Sequence, residues 1–273
     1  MSARFLTVVL ERAFNMRDGF GREIDYMRIS VIDSCNLNCY YCNPCDNNEH
    51  CHALNILSVK EVLCIVRAAT RLGIKHFRLT GGEPLLHPQL DEMVLQIKKI
   101  PGVSSVSLTT NAVLLAQHAK WLKEAGIDSI NVSLDTIDAS EYERITKKPL
   151  LEEVKHGINA AIECGIRVKI NVVLTPQTDV VALTRYVAKK GTDIRFIEMM
   201  PVGEGHTNGV EPYKKVIGTL SKLYGEPCRI NTEKTKEINS ENDKRKIPDN
   251  GPAEYYIFPE LGIRVGLIQA IHG

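Results

Sequence analysis

Three cysteines, Cys35, Cys39 and Cys42, follow one another with the spacing C-x3-C-x2-C. Three thiolates from one loop can hold three irons of a [4Fe–4S] cube and leave the fourth iron open to a small molecule. The same residues can serve structural zinc, which normally takes four closed ligands, and Cys45, Cys51, His50 and His52 offer the fourth. Spacing alone leaves both metals open. A disulfide knot is disfavoured. The apolar run FLTVVL near the start is too short for a secretory signal, and no small-residue cleavage site follows it. The chain is therefore expected in the cytoplasm, where clustered thiols bind metal or react rather than pair.

Composition narrows the partner. The 273 residues are 44% hydrophobic and 25% charged, as in an ordinary globular protein, and the net charge is +1 with the basic residues dispersed. That leaves no electrostatic footprint for nucleic acid and no polybasic membrane patch. No apolar run approaches the ~18 residues of a membrane span. A small-molecule partner is expected.

The elements that must position the cysteines alternate between strand and helix after residue 25. YMRISVI reads as a strand leading into the cysteine loop, and LSVKEVLCIVRAATRLG reads as a helix. Ser58 and Glu61 form a capping box at its start and Gly73 marks its end. KHFRLT, VSSVSLTTN, IDSINVSLD, IRVKINVVL and DIRFIEMMP are further strands, each followed by helical periodicity, with Pro88 starting the second helix. Six such units at these spacings predict parallel strands with right-handed crossovers. Polar and Gly-rich residues fall just after the strands, which favours a partial (β/α)6 barrel over a doubly wound sheet. The division expected is an N-terminal extension (1–25), a barrel (26–226) and an incomplete C-terminal region (227–273). In the last, a charged polar stretch precedes a small hairpin in PAEYYIFPELGIRVGLIQAI. Cys64 and Cys164 fall on helix faces and read as core thiols, and Cys228 has no evident partner.

The cysteine motif with Tyr41 before its third cysteine, and GGEPLL from Gly81, resemble the radical S-adenosylmethionine (SAM) superfamily. GGEP alone supports little more than a βα turn, and it is not a dinucleotide fingerprint. FRLTGGEPLL, SLTTNAVLL, SINVSLDT, VKINVV and above all RFIEMMPVG narrow the resemblance to the GTP 3′,8-cyclase family of molybdenum-cofactor biosynthesis, from about residue 19 to the end. The resemblance implies a TIM-like barrel, a [4Fe–4S] cluster on Cys35, Cys39 and Cys42, and SAM as cofactor. It matches Tyr41, Gly82, Ser133 and Met200 to SAM-contacting positions, and Arg28, Arg78, Thr109 and Lys169 to GTP-contacting ones. It also implies an electron donor such as flavodoxin or ferredoxin, and a homodimer. Physically, Gly81 and Gly82 would let the backbone approach a ligand, and cations at strand ends suit a triphosphate. Glu198 is expected to accept from SAM or to hold Arg195.

The family carries a second cluster on three C-terminal cysteines, and after Cys164 this sequence has only Cys228. A Gly-Gly tail is also missing. The expectation is a truncated chain that binds one cluster and SAM, holds GTP weakly and makes little product. Competing readings are a radical-SAM enzyme for another substrate, a zinc-stabilised binding module, and a barrel that has lost catalysis.

Overall fold

Each predicted β/α unit forms, and local chemistry accounts for its ends. The computed structural model describes residues 16–19, 21–42, 55–199, 212–230 and 253–269. The elements run β1 (Tyr26–Ser30), α1 (Val59–Arg71), β2 (His76–Thr80), α2 (Leu90–Lys98), β3 (Ser105–Thr110), α3 (Leu115–Glu124) and β4 (Ser129–Ser133). Then come α4 (Ala139–Thr146), α5 (Leu151–Glu163), β5 (Arg167–Leu174), α6 (Val180–Lys189), β6 (Asp193–Glu198) and α7 (Pro212–Tyr224). Short strands β7 (Cys228–Ile230), β8 (Glu254–Ile257) and β9 (Arg264–Ile268) close the order.

The capping box at α1 makes both of its bonds: Ser58 accepts from the Glu61 amide and Glu61 accepts from the Ser58 amide at 2.8 Å. At its other end Gly73 adopts φ 94°, and the amides of Gly73 and Ile74 return to the Thr70 and Ala69 carbonyls. That is a Schellman stop, and it turns the chain directly into β2. Asp138 and Asp179 cap α4 and α6 in the same manner as Ser58, through their side chains. The second helix begins at Leu90 rather than at Pro88, after a short 3-10 turn over Pro84–Leu86.

The sheet is ordered β1-β2-β3-β4-β5-β6-β9-β8-β7, parallel from β1 through β6 and on to β9. The predicted hairpin exists as the antiparallel pair β8–β9. It is built onto β6, so the sheet runs continuously across the boundary expected at residue 226.

Strand alternation sorts the residues by face. Ile29, Phe77, Leu79, Val106, Leu108, Ile130, Val132, Val168, Ile170, Ile194 and Phe196 are buried and join the helices in one apolar core. The alternate set is polar: Tyr26, Arg28, Arg78, Ser107, Thr109, Asn131, Lys169, Asp193 and Arg195. Register places these neighbours side by side, with Arg28 opposite Arg78, Thr109 opposite Asn131 and Asn131 opposite Lys169. The sheet curls around that face. In a flat sheet β1 and β6 would lie about 24 Å apart, five spacings of ~4.8 Å. Instead Tyr26 on β1 lies within electrostatic reach of Arg195 on β6. This is the partial barrel expected from the β/α repeat, with a polar interior.

Candidate functional site

The cysteine loop leaves β1 and is held from three directions. The amides of Asn38 and Tyr40 donate to the carbonyls of Thr146 and Ile145 at the end of α4. The Gly82 and Glu83 amides donate to the carbonyls of Ile32 and Ser34 at 2.7 and 2.8 Å. On the third side, the Tyr41 hydroxyl donates to the Asp135 carboxylate, beyond the end of β4. Asp135 also accepts from the Val173 amide on β5 at 2.7 Å.

Gly81 and Gly82 explain how two loops come this close. A Cβ on Gly81 would sit 2.2 Å from the Ile32 carbonyl oxygen, and one on Gly82 2.2 Å from that of Ser34. The close approach these glycines allow is therefore to the chain's own cysteine loop. The sequence had suggested a ligand there; the geometry adds a structural demand, while Gly82 itself stays exposed. Glu83, next in line, is fully buried. Its carboxylate accepts from the Leu85 amide at 2.9 Å, the Thr110 hydroxyl at 2.7 Å and the Asn111 amide at 2.7 Å. Burial pushes its pKa up, and these three donors pull the other way. Asn111 in turn donates to Asn36 at 2.7 Å and faces the Cys35 sulfur at 3.8 Å.

The three thiols sense one another. Burial raises the Cys39 pKa to about 12, helped by the Asp135 carboxylate and by Cys42 and Cys35. Burial also raises Cys35, with Glu83 and Cys42 adding to it. Free thiolates are thus disfavoured in this loop, and a cationic metal centre is what would stabilise three of them together. The loop fits an iron–sulfur cube on that chemistry: three thiol donors, one strand end, and a cleft beside them. Among the described residues no three His, Cys, Asp or Glu side chains are grouped as ligands of a single ion. A cube assigns each thiolate to a different iron. Cys45, Cys51, His50 and His52 lie outside the described residues.

A small cleft beside Cys39 is lined by Tyr41, Asn111, Ser133, Asp135 and Thr136. The predicted Tyr41 and Ser133 therefore meet at the cysteines. Met200 lies outside the described residues. Arg28, Arg78, Thr109 and Lys169 line the barrel interior. Arg78 donates to the Ser107 hydroxyl at 3.1 Å and sits over the Tyr26 ring at 5.2 Å. With its amide oxygen turned toward Arg78, Asn131 accepts from that guanidinium at 2.8 Å. Tyr26 is raised by burial and pulled down by Arg78, Arg28 and Arg195, which places three cations around one phenol.

Arg195 joins this set from β6, and the appended hairpin holds it. Its Nε donates to the Tyr255 hydroxyl at 2.5 Å, and its guanidinium lies 5.8 Å from the ring centre. Gly266 makes the space: a Cβ there would come within 2.9 Å of both Arg195 and Tyr255. Arg264 also lies against the Tyr255 ring, 5.5 Å from its centre, and forms a part-buried ion pair with Asp193. Sequence reasoning missed Glu83, Asn111, Asp135, Tyr26 and Tyr255, and had Arg195 only as a partner for Glu198. Cys64 is a plain correction: it is exposed on α1, because the helix turns Val62 and Val66 inward. Cys164 is half-buried against the core, and Cys228 is exposed on β7.

Residues 29–183 match the radical SAM superfamily. A GTP 3′,8-cyclase of Clostridium perfringens (strain SM101 / Type A) is 36% identical over 259 residues, 94% of this chain and 76% of that protein. The chain belongs to the GTP 3′,8-cyclase family. A cyclase of Listeria monocytogenes (serovar 1/2a) is 40% identical over 88% of this chain and 70% of its own length. Among solved structures, Streptococcus suis SuiB bound to S-adenosylmethionine superposes with a TM-score of 0.60. Identity there is 17%, and the match spans 72% of this chain but 47% of SuiB. The enzyme anSMEcpe, with bound AdoMet and a peptide, gives 0.57 at 21% identity, over 73% of this chain and 59% of that one. At such identities these structures show the fold, a partial barrel shared beyond the cyclase family. No helix among the described residues is long and apolar enough to cross a membrane.

Proposed function

We propose that this chain is a radical-SAM enzyme that acts on GTP as a 3′,8-cyclase in the biosynthesis of the molybdenum cofactor. The observation that carries the reading is the placement of two unlike sites on one curved sheet. A thiol loop lies beyond the strand ends, and a cation-lined interior lies below it. Family membership supplies the substrate name, and the interior chemistry agrees with it. Arg28, Arg78, Lys169 and Arg195 suit the oxygens of a triphosphate, Arg being able to bind them bidentately.

In this reading Cys35, Cys39 and Cys42 hold a [4Fe–4S] cluster, and SAM lies along the cleft of Tyr41 and Ser133, with Gly82 and Met200 as the further contacts the family implies. The cluster, held by Cys35, Cys39 and Cys42, would supply one-electron reduction of SAM and with it the radical chemistry of the reaction. The chain's own residues do the rest. Tyr41 flanks the adenine side, and Ser133 offers a hydroxyl at the β4 end. Arg28, Arg78, Thr109 and Lys169 fix the substrate's phosphates and ribose against the interior face. The barrel wall and its helices keep water from the reacting atoms. The electron donor is of the flavodoxin or ferredoxin kind, the working compartment is the cytoplasm, and a homodimer is the expected assembly. Residues 26–226 form the catalytic barrel in this proposal.

The test is release of 5′-deoxyadenosine by the anaerobically reconstituted chain. Release that needs iron, SAM and reductant together, and that rises with GTP, supports the reading. Release that is indifferent to GTP moves it to another substrate.

A further inference from the structure

The cysteine loop carries a hydrogen bond that neither metal ligation nor the cofactor positions account for. Tyr41, the residue before the third cysteine, gives its hydroxyl proton to Asp135. Asp135 is 9% exposed, and its other oxygen is fixed by the Val173 amide at 2.7 Å. A carboxylate at a strand end normally turns to water, because burying it costs free energy unless it is well partnered. Here it turns inward, and its charge bears on Cys39. Cys39, Tyr41 and Asp135 line the same cleft. The bond also ties the loop after β1 to the edge of β4 and β5, 94 residues further along the chain.

We propose that Asp135 is a positioning residue for the cluster loop: through Tyr41 it fixes the segment between the second and third cysteines. A tyrosine held by its hydroxyl presents its ring in one orientation, so the bond prepares the cleft for the nucleoside half of SAM. The inference rests on the cluster reading above but needs neither GTP nor turnover.

Wild type, Asp135→Asn, Tyr41→Phe and the double variant are reconstituted anaerobically. Iron per chain is counted, and SAM is added to the reduced protein while its EPR signal is followed. Tyr41→Phe removes the donor and keeps the ring, so the protein keeps its iron while the SAM-induced change in the EPR signal weakens. Asp135→Asn leaves one acceptor oxygen where two are used, for Tyr41 and Val173, so it keeps its iron and weakens that response as well. The double variant shows no further loss beyond Tyr41→Phe, because that change alone already removes the bond. An Asp135→Asn protein with the wild-type SAM response overturns the inference. Should that variant fail to fold, an unchanged SAM response in Tyr41→Phe overturns it equally. A wild-type chain that takes up no iron overturns the cluster reading, and the inference with it. Loaded wild type with unshifted variants overturns the inference alone.

Discussion

The two ends of the barrel's polar face use charge in opposite ways. Around the cysteine loop the buried charges are acidic, Glu83 and Asp135, and each is satisfied by donors of the protein itself. In the interior the charges are mostly basic, and hydroxyls and rings hold them. Arg28 and Arg78 sit side by side by register, and Arg195 donates to a phenol. The difference teaches what each region is built for. Carboxylates that accept only from their own chain hold loops in place. Guanidiniums held by Tyr26, Ser107 and Tyr255 are gathered on one face, an arrangement that suits an anion.

Breaking the acidic end should cost most. Glu83→Ala strands three donors in the interior, each worth ~1–3 kcal/mol when left unpaired, so a loss of about 3 kcal/mol or more is expected in urea unfolding. The loop resting on Gly82 should loosen with it, and iron uptake should fall. The same residue gives a pH signature. Burial holds its folded-state pKa above the ordinary value. Its contribution is therefore complete below the unfolded value of about 4.3 and is lost as pH rises through the folded-state value. Wild type should lose stability relative to Glu83→Gln as pH rises from about 4, and a constant difference between the two would contradict the assignment.

At the basic end the effects should appear in binding first. Arg78→Ala removes a charged donor from the interior and should weaken binding of inorganic triphosphate by about ten- to a hundredfold, or ~1.5–3 kcal/mol, in calorimetry. Its unfolding midpoint should fall by less than that of Glu83→Ala, since two buried partners, Ser107 and Asn131, lose a donor. Tyr255→Phe is subtler. It leaves the ring beneath Arg195 but deletes the acceptor, and about a fivefold loss, ~1 kcal/mol, is expected. If Tyr255→Phe instead unfolds the hairpin without touching triphosphate affinity, the comparison between the acidic and the basic end fails at β6.

Much of this was legible from the sequence, for stated reasons. Ser58 with Glu61, Gly73, Asp138 and the strand–helix repeat are local signals, and local hydrogen bonds made them come true. The cysteine spacing is likewise contained in one loop. Glu83 and Asp135 were not legible as braces, because their partners lie 27–28 and 94 residues away in some of their bonds and nothing nearby marks a carboxylate as buried. GGEP shows the limit well: the pattern suggests room for a ligand, whereas a side chain at either glycine would overlap the chain's own Ile32 or Ser34. The hairpin was visible as alternation and turn residues. Its parallel docking onto β6, which brings Tyr255 to Arg195, is a long-range pairing that no local pattern encodes.

The central claim is that the three thiols after β1 hold a redox cluster against a braced loop. Anaerobic reconstitution with iron and sulfide, followed by SAM and a reductant, tests it most directly. The account predicts about four irons per chain, loss of that iron in Cys39→Ala, and 5′-deoxyadenosine released from SAM. Uptake of one zinc per chain in place of iron, with SAM left intact, would contradict it.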